Sequence, residues 1–413
     1  MDQNLRSFRT VGPPHRQRDI LRFLAAEGFE FEPEPFSSRC FRLLTEPRPL
    51  GSSLAAFFGH IYIQDRSSML PPLALAPKEG EAVLDMCASP GGKTGFLADL
   101  LGPNGFVLAN EPNSARLATL RANMRVLDLV NVASCQYAGA DLPLAAASWN
   151  RILLDPPCSG WGTADKNPLA RKLWQGKKID QLVGIQRALL QKAASLLAPG
   201  GMLLYSTCTT NQDENGRQAS FACSELELEL VPLAPFPGFA FEDSELPGTL
   251  LVDGAASGAQ GFFLALFRKN PAAMREEQPE MFACPPDARR LCHATACDLS
   301  HLPAGSVGVF SNKARFMPGL ASSYLPRDFR WQGALIGSFA KNGNFQPQPR
   351  LKNLLPEEAA LRLDEPAAIR SLLNGTLHAV DSNAEAAGLF WENLPLCRIR
   401  LRNGRAIPAL GNE

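Results

Sequence analysis

Between residues 58 and 270, short apolar runs alternate with segments of helical periodicity, and this alternation constrains the fold more than any other feature of the sequence. Strands that are separated by helices predict a parallel, doubly wound sheet. Ligands bind to such sheets beyond the carboxyl ends of the strands. We predict strands at 83–87, 105–110, 131–137, 151–155, 202–207, 225–230 and 261–267, helices at 114–127 and 181–198, and a further helix that ends near 101.

The chain divides into three segments. Residues 1–57 are rich in Arg, Phe and Pro and contain one predicted helix near 16–27, and residues 58–270 form the alternating domain. From 271 to 413 the alternation stops, and the proline-rich joints at 270–271 and 284–286 mark the boundary. Within this last segment, start and stop signals predict two short helices, one after Pro356 and one after Glu365.

Charge and hydropathy exclude some classes of protein. No stretch approaches the roughly 18 uninterrupted apolar residues of a membrane helix, and residues 1–10 contain no apolar run that would predict a secretory signal. Lys and Arg together number 41, as do Asp and Glu, so a uniformly basic coat for nucleic acid is excluded, whereas a local basic groove is not. We expect a cytoplasmic chain that does not contact a membrane.

The ten cysteines are spread along the chain rather than clustered in a disulfide framework. We therefore expect reduced thiols. Cys284, Cys292, His293 and Cys297 form the one group whose residue types suit zinc, but none of their spacings is Cys-x-x-Cys. We expect no metal site.

A turn of small residues follows the strand at 83–87 and opens the next helix. Such residues allow a ligand to approach the backbone, and Glu111, twenty residues after Gly91, stands where a carboxylate binds ribose hydroxyls. The turn lacks Gly-x-Gly-x-x-Gly, and Cys87 occupies the position of the first glycine of a P-loop. A nucleoside cofactor without a pyrophosphate, S-adenosylmethionine, fits best. The turn residues expected to bind it are Cys87, Ala88, Ser89, Pro90, Gly91, Gly92 and Lys93.

Two cysteines directly follow strands at the same predicted edge, Cys158 after 151–155 and Cys208 after 202–207. A thiolate beside a methyl donor suits methylation of cytosine carbon 5, because addition to carbon 6 makes carbon 5 nucleophilic and sulfur also leaves readily. A predicted helix starting around 212–214 would favour the thiolate of Cys208 through its dipole. Asp155 could present a proton or a hydrogen bond to ring nitrogen 3. These arguments leave open which cysteine attacks.

The same residues allow other interpretations. Asp-Pro-Pro followed by an aromatic residue is typical of exocyclic amine methylation, but position 158 is Cys, and Cys208 would then be unexplained. A dehydrogenase could share the glycine-containing turn and Glu111, and an RNA-binding assembly factor could keep the fold without catalysis. Activity that survives a change of Cys208 would favour amine methylation, nicotinamide binding would favour a dehydrogenase, and cofactor binding without methyl transfer would favour the assembly factor.

Taken together, the motifs resemble the Sun-type (Nop/Sun) family of RNA cytosine-C5 methyltransferases over residues 57–270. The segments that carry the resemblance are Gly59–Met69, Val83–Lys93, Asp155–Gly160, Thr207–Thr209, Asp213–Asn215 and Gly261–Phe263.

The resemblance implies a class I S-adenosylmethionine-dependent methyltransferase, with a Rossmann-like, mostly parallel sheet and small α+β domains at both ends. It implies that Cys208 is the nucleophile and that Cys158 assists release of the methylated product. The matching positions around the cofactor and the base are Lys93, Glu111, Arg116, Asp141 and Asp155.

Residues 350–410 resemble the PUA-like RNA-binding region of the ribosomal RNA subgroup, which implies a monomer acting on small-subunit ribosomal RNA, with transfer RNA as the alternative. Arg398, Arg400 and Arg402 alternate on a predicted strand and would share one face. Basic and aromatic residues that could contact RNA also follow the first cysteine motif: Trp161, Lys166, Arg171, Lys172, Trp174, Lys177 and Lys178.

Overall fold

The N-terminal part of the chain forms a small antiparallel sheet. The computed structural model describes residues 6–163, 175–273, 279–357, 360–376, 378–379 and 386–408. The sheet has the strand order β2-β3-β1-β4, and the helix predicted near 16–27 is confirmed as α1. The elements are β1 (Ser7–Thr10), α1 (Gln17–Ala26), β2 (Glu30–Glu34), β3 (Ser37–Thr45), α2 (Leu54–Phe57) and β4 (Ile61–Ile63).

The middle of the chain follows the predicted alternation of strands and helices. Its elements are α3 (Leu70–Leu75), β5 (Ala82–Asp85), α4 (Gly92–Leu101), β6 (Phe106–Asn110), α5 (Ser114–Leu127), β7 (Val132–Cys135), β8 (Trp149–Leu154), α6 (Lys177–Leu196), β9 (Leu197–Thr207), α7 (Gly216–Glu225), β10 (Leu228–Val231), β11 (Phe241–Glu242), β12 (Leu250–Val252), α8 (Gly254–Ser257) and β13 (Phe262–Lys269).

A ten-stranded sheet is the centre of the molecule. Its five central strands, in the order β9-β8-β5-β6-β7, are parallel. Antiparallel strands extend both edges: β13, β12, β11 and β10 beyond β9, and β16 (Trp331–Gln332), from the C-terminal part, beyond β7. The residues of β6 are buried, as expected for a strand covered on both faces. This confirms the predicted class I methyltransferase fold.

The amphipathic strand predicted at 225–230 begins later than expected. Helix α7 continues to Glu225, with Ala219 and Ala222 buried on its inner side, and β10 starts at Leu228. Glu227 between them has a positive φ of 53°. This left-handed residue turns the chain from helix to strand, so that the alternating pattern describes a strand only from residue 228.

The C-terminal part contributes two further sheets and one strand of the central sheet. β14, β15, β17 and β18 form a four-stranded antiparallel sheet, and β19, β21, β22, β23 and β20 form the other. The elements are β14 (Gly305–Phe310), β15 (Lys313–Pro318), α9 (Ala321–Tyr324), β16 (Trp331–Gln332), β17 (Ala334–Phe339), β18 (Phe345–Pro347), β19 (Ala360–Arg362), α10 (Pro366–Leu373), β20 (His378–Ala379), β21 (Ala386–Trp391), β22 (Leu394–Arg402) and β23 (Arg405–Pro408).

Of the two short helices predicted in this part, the second is confirmed as α10, and the first is wrong. Residues 360–362 form β19 instead, which pairs in parallel with β21. Pairing with a distant strand overrides the local helix signals here. The alternation on β22 is confirmed: Arg400 and Arg402 are exposed, and Leu401 between them is buried. Arg398 is partly buried and donates from Nε to the carbonyl of Thr295 at 2.9 Å.

A buried lysine joins the three parts of the chain. Lys352 Nζ donates to the carbonyls of Phe58 and Gly59 at 2.8 and 2.9 Å. Asp128, which ends α5, accepts the backbone N–H of Asn353 at 3.0 Å. Burial lowers the pKa of Lys352 to about 8 and raises that of Asp128 to about 6, and each charge partly offsets the shift of the other. The pair anchors the C-terminal part to the N-terminal sheet and to α5.

All ten cysteines are free thiols. Among the described residues, no three metal-ligating side chains lie close enough together to hold an ion. No helix in the same ranges is both long enough and apolar enough to span a bilayer.

Candidate active site

The carboxyl edge of the parallel strands brings most of the predicted site residues together. Lys93 Nζ donates to Asp155 Oδ2 at 2.7 Å, so the turn after β5 contacts the end of β8. Ser206 Oγ on β9 donates to Asp155 Oδ1 at 2.9 Å. The sulfur atoms of Cys158 and Cys208 are 3.2 Å apart. Three strand ends thus converge on one carboxylate and two thiols.

The turn between β5 and α4 is fixed by close packing. Gly91 has a φ of +109°, a conformation in which any side chain would be strained, and a Cβ there would lie 2.6 Å from Met124 Cε on α5, which would have to shift. Thr94 Oγ1 donates to Asp85 Oδ2 at 2.7 Å and ties the start of α4 to the end of β5. Burial raises the pKa of Asp85 to about 6, although the Thr94 hydrogen bond opposes this shift.

Asn110, which was not predicted, connects three strand ends. Its Nδ2 donates to the carbonyls of Met86 and Tyr137, each at 3.1 Å, and its Oδ1 accepts the Tyr137 N–H at 3.0 Å. The Asn110 carbonyl also accepts the N–H of Ala88 at 2.9 Å. The sequence signal that could have identified it is an asparagine at the end of an otherwise apolar strand, because a buried amide there needs hydrogen-bond partners.

Glu111 follows β6 and is 2 % exposed. Its Oε1 accepts the N–H of Asn113, which caps α5, at 2.9 Å, and Arg116 Nη2 lies 3.5 Å from its Oε2. Arg116 Nη2 also donates to the carbonyl of Ser89 at 3.0 Å, and Ser89 Oγ donates back to the carbonyl of Arg116. Glu111 and Arg116 therefore hold the start of α5 against the turn after β5.

Asp141 lies apart from these contacts. It is exposed at the end of the 3-10 turn Gly139–Asp141. A Cβ on Gly139 would lie 2.5 Å from Leu189 Cδ2 of α6, with the Met86 carbonyl and Asn110 Nδ2 just beyond. The turn thus crosses the ends of β5 and β6, which leaves Asp141 at the rim of the edge where the sequence predicts it.

Lys93 is held as an ammonium ion between Asp155 and an aromatic ring. Burial lowers its pKa, but the charge and hydrogen bond of Asp155 more than offset this, and the net shift is upward. Its Nζ lies 5.2 Å from the centroid of the Phe262 ring, within the range of a cation–π contact. The site therefore contains a fixed positive charge beside the two cysteines.

The two thiols differ in their electrostatic surroundings. The hydrogen bond from Cys158 lowers the pKa of Cys208, burial opposes the shift, and the charge of Lys93 lowers the pKa further. The pKa of Cys158 is raised by the same hydrogen bond, by burial, and by the carboxylates of Asp155 and Glu214. The Cys158 hydrogen bond, and to a lesser extent the charge of Lys93, therefore favour the thiolate of Cys208 over that of Cys158.

The helix after Cys208 begins at Gly216, later than the predicted start at 212–214. A turn held by side chains precedes it: Thr207 Oγ1 donates to Asn215 Oδ1 at 2.6 Å, and Asn215 Nδ2 donates to the carbonyl of Thr209 at 2.9 Å. Asn215 thus contacts the residues on both sides of Cys208, the hydroxyl of Thr207 and the backbone carbonyl of Thr209. The dipole explanation for its thiolate is replaced by Cys158 and Lys93.

Glu214 was part of a predicted motif but was not predicted to be a site residue. It is fully buried and accepts from the backbone N–H of Ser159 at 2.9 Å, and also from Ser159 Oγ. Gln186 Nε2 and Asn211 Nδ2 donate to it at 2.9 and 3.1 Å. A buried carboxylate that fills its lone pairs in this way is costly to disturb. It fixes the position of Ser159 and hence of Cys158.

Gly162 joins the loops that follow the two cysteines. Its N–H donates to the carbonyl of Cys208 at 3.1 Å, and its carbonyl accepts the N–H of Gly261 at 3.0 Å. A Cβ at Gly162 would lie 2.1 Å from the Gly261 carbonyl oxygen, so only glycine fits. Nothing in the sequence pattern distinguishes this glycine from others, because the contact joins residues far apart in the chain.

The predicted RNA-contact loop lies largely outside the described residues. Lys166, Arg171, Lys172 and Trp174 fall there, whereas Lys177 and Lys178 are exposed at the start of α6. Trp161 lies in a 3-10 turn directly after the first cysteine motif. Together with Ile179 and Asn211, it lines an open hollow beside the second cysteine motif.

The charged side chains at this edge of the sheet fit the adenosine end and the methionine end of S-adenosylmethionine. The buried Glu111 carboxylate suits the two ribose hydroxyls, and the Asp155–Lys93 pair lies where the methionine end of the cofactor and the base would meet. A pyrophosphate fits less well, because Pro90 has no N–H and the N–H of Ala88 is already used by the Asn110 carbonyl.

Comparison with known proteins identifies the class of the chain. Residues 72–268 match the family model described as 16S rRNA methyltransferase RsmB/F. The chain is 34% identical to a solved structure described as a methyltransferase homolog protein from Pyrococcus horikoshii. The match covers 64% of this chain and 86% of that chain, with a TM-score of 0.56.

Two curated relatives are similar over the same part of the chain. A ribosomal RNA small subunit methyltransferase F from Shewanella loihica is 35% identical over 274 residues, which is 63% of this chain and 55% of that protein. A 28S rRNA (cytosine-C(5))-methyltransferase from Mus musculus is 32% identical over 277 residues, which is 64% of this chain and 35% of that protein. The chain thus spans about half or less of the length of these relatives.

Proposed function

The chain belongs to the 16S rRNA methyltransferase RsmB/F family, and from this premise we propose that it transfers a methyl group from S-adenosylmethionine to carbon 5 of a cytosine in RNA. The observation that carries the proposal is the 3.2 Å contact between Cys158 and Cys208 beside the Lys93–Asp155 pair. An exocyclic amine methyltransferase has no use for a polarised thiol pair. A dehydrogenase or a non-catalytic binding factor would not need one either.

In this proposal, the Asp155–Lys93 pair positions the cytosine. Asp155 already accepts hydrogen bonds from Lys93 and Ser206, so its carboxylate would accept a further one from the 4-amino group of the base. The Lys93 ammonium would then donate to ring nitrogen 3. Withdrawal of electron density at nitrogen 3 makes carbon 6 more electrophilic and favours addition. The base must leave its stack to reach these groups.

The thiolate of Cys208 would add to carbon 6, and carbon 5 would become the nucleophile. S-adenosylmethionine supplies an electrophilic methyl group at this edge of the sheet. Glu111 would hold its ribose hydroxyls, and the turn from Cys87 to Lys93 would pack against its remainder. Asn215 would keep Cys208 in place during the attack, because it contacts the residues on both sides, through the Thr207 hydroxyl and the Thr209 carbonyl.

Release of the product would involve Cys158. After methylation, a water molecule acting as base would remove the carbon 5 proton, and the electron pair of that C–H bond would restore the 5,6 double bond as the bond between carbon 6 and the Cys208 sulfur breaks. The leaving group is the Cys208 thiolate, and the S–H of Cys158, whose pKa is raised by its hydrogen bond to Cys208 and by burial, stays protonated and can stabilise that thiolate as it forms. Cys158 thus assists the second half of the reaction rather than the first.

Ribosomal RNA is the proposed substrate, and transfer RNA is the alternative. The named relatives in bacteria and mouse support ribosomal RNA. The exposed Arg400 and Arg402 on β22, in the region that resembles a PUA-like module, would add contacts to the RNA backbone. We further propose that the protein acts as a cytoplasmic monomer.

The test is methyl transfer to RNA followed by analysis of the nucleosides. The protein is incubated with methyl-labelled S-adenosylmethionine and with either ribosomal RNA, isolated small subunits or transfer RNA that lack the modification. We expect 5-methylcytosine in ribosomal RNA, and none with Cys208→Ala. Label in a methylated amine, or unchanged 5-methylcytosine with Cys208→Ala, would contradict the proposal. Label confined to transfer RNA would favour the alternative substrate.

A further inference from the structure

A cleft lies between helix α5 and the first C-terminal sheet, with a volume of about 440 Å³. Its floor is the edge of the central sheet, where Ser134 of β7 lies beside Gln332 of β16. The far wall comes from β15 and the start of β17. Apolar side chains that include Leu117 and Leu335 line part of the wall. The volume falls in the range of pockets that bind small organic ligands.

Three arginines that face the cleft have no acidic partner. Arg121 and Arg125 lie on α5, Arg315 lies on β15, and in the described parts of the chain none of them forms an ion pair with a carboxylate. Neutral groups hold two of them: Arg121 Nε donates to Ser134 Oγ at 2.9 Å, and Arg315 Nη1 donates to the carbonyl of Gly333 at 3.0 Å. Further guanidinium donors of these residues remain available.

The three positive charges oppose one another. The pKa of Arg315 is lowered by burial and by the charges of Arg121 and Arg125. The Nε of Arg125 is buried and has no hydrogen-bond partner among the described residues. Asp128 is the one carboxylate among the described lining residues, and it faces Lys352 and the N–H of Asn353 instead. Because these positive charges repel one another, the cleft favours binding of an anion.

We propose that this cleft binds one nucleotide of the RNA substrate outside the target cytosine, with its phosphate held by Arg121, Arg125 and Arg315 and its ribose and base against the apolar wall. The inference rests on the proposed function, because it takes the anion to be a phosphodiester of RNA. Guanidinium groups match phosphate oxygens in a bidentate geometry, which an ammonium does not. The cleft would couple α5, which Glu111 and Arg116 join to the cofactor turn, to the C-terminal part of the chain.

The test compares a cleft variant with a control of equal charge. Arg125→Gln/Arg315→Gln removes two cleft charges, and Arg290→Gln/Arg330→Gln removes two exposed charges elsewhere in the C-terminal part. Binding of a fluorescent ribosomal RNA fragment is measured over a salt series without cofactor. We expect the cleft variant to lose on the order of tenfold in affinity and about one unit of salt slope relative to the control. Equal affinity and equal slope in the two variants would overturn the inference.

Two further measurements keep the test decisive. If the double variant fails to fold, Arg125→Gln alone is compared with Arg330→Gln, and the same direction of change is expected. Titration with cytidine 5′-monophosphate and with inorganic phosphate identifies a free anion as the ligand, and binding of either with unchanged RNA affinity of the variant would overturn the inference. Absence of 5-methylcytosine with the unchanged protein refutes the proposed function, whereas the RNA binding data stand independently of it.

Discussion

Cys158 and Cys208 are fifty residues apart in the chain, yet their sulfur atoms lie 3.2 Å apart. The contact makes the two thiols unequal, because their hydrogen bond lowers the pKa of Cys208, which the Lys93 charge lowers further, and raises the pKa of Cys158. Each cysteine is held by its own support: Cys208 by Asn215, and Cys158 through Ser159 and Glu214. Two thiols with different protonation states can serve two different steps of one reaction.

Removing the cation should shift the pH dependence of the covalent step. The thiolate of Cys208 is the reactive form, and Lys93 helps to hold its pKa below the ordinary value. In Lys93→Met, the rate of covalent addition to RNA should therefore rise at a pH about 1 unit higher than in the unchanged protein. Rapid-quench measurement of adduct formation between pH 6 and 9 checks this, with Lys78→Met as the control for an exposed lysine. An unshifted profile would show that Lys93 does not tune the thiol.

Glu214 should control release of the product through the position of Cys158. In Glu214→Gln, an amide replaces an acceptor that four donor groups contact, so the loop of Ser159 should shift. We expect covalent protein–RNA adduct to accumulate while the affinity for S-adenosylmethionine stays within about twofold. Denaturing gels measure the adduct. The exposed Glu225→Gln is the control, and a Glu214 variant that releases product at the control rate refutes this role.

Glu111 should contribute to cofactor affinity and not to RNA affinity. Its buried carboxylate is expected to accept from the ribose hydroxyls, and Glu111→Gln replaces one acceptor oxygen with a donor. The Kd for S-adenosylmethionine should rise by roughly tenfold, which corresponds to the loss of a hydrogen bond to a charged group. Isothermal titration calorimetry measures this, with the exposed Glu242→Gln as the control. A Kd equal to that of the control would remove Glu111 from the cofactor site.

The buried pair of Lys352 and Asp128 should stabilise the joint between the three parts of the chain. Lys352→Met leaves two carbonyls without their donor and the buried Asp128 carboxylate without a nearby positive charge, and should lower the free energy of unfolding by about 3 kcal/mol. Asp128→Asn/Lys352→Met should lose less than the sum of the two single variants. Urea unfolding of the four proteins gives the coupling free energy, and strict additivity would contradict the pairing.

The shifted pKa values of Lys352 and Asp128 determine the direction in which the free energy of unfolding changes with pH. Burial lowers the pKa of Lys352 to about 8 in the folded chain, whereas its value in the unfolded chain is near 10.4. Between these two pH values the unfolded chain binds more protons than the folded chain. The contribution of Lys352 to stability should therefore rise with pH over this range. The pKa of Asp128 is raised to about 6, so its contribution should fall as the pH rises from the unfolded value towards 6. Both trends should be absent from the double variant.

The parallel centre of the sheet could be predicted from sequence because its strands are buried on both faces and its helices have clear periodicity. Helix α5 begins and ends where the pattern predicts, since Asn113 caps it and Asp128 ends it in a left-handed conformation. The antiparallel edge strands are short, and the register of β16 on β7 depends on residues nearly 200 positions apart. No local pattern contains that information.

Some residues of the candidate site could likewise be predicted from the sequence, and others could not. Glycines, a carboxylate and cysteines at strand ends are visible as letters, so Gly91, Glu111, Cys158 and Cys208 could be identified beforehand. The supporting residues could not, because their roles arise only from contacts across the fold. The requirement for glycine at position 162, for example, follows only from its close contact with the Gly261 carbonyl. The reason for the low pKa of Cys208 was also missed, since the predicted helix dipole was a local argument and the effective groups come from other strands.

The most direct test of the account is to trap the covalent intermediate. Cys158→Ser, which keeps the size of the side chain but weakens its support of the leaving thiolate, is incubated with RNA and S-adenosylmethionine and then digested, and the linked peptide is identified by mass spectrometry. We predict that an RNA adduct accumulates on Cys208, and that Cys158→Ser/Cys208→Ala forms none. An adduct on another residue of Cys158→Ser, or full 5-methylcytosine synthesis by Cys208→Ala without an adduct, would contradict the central claim.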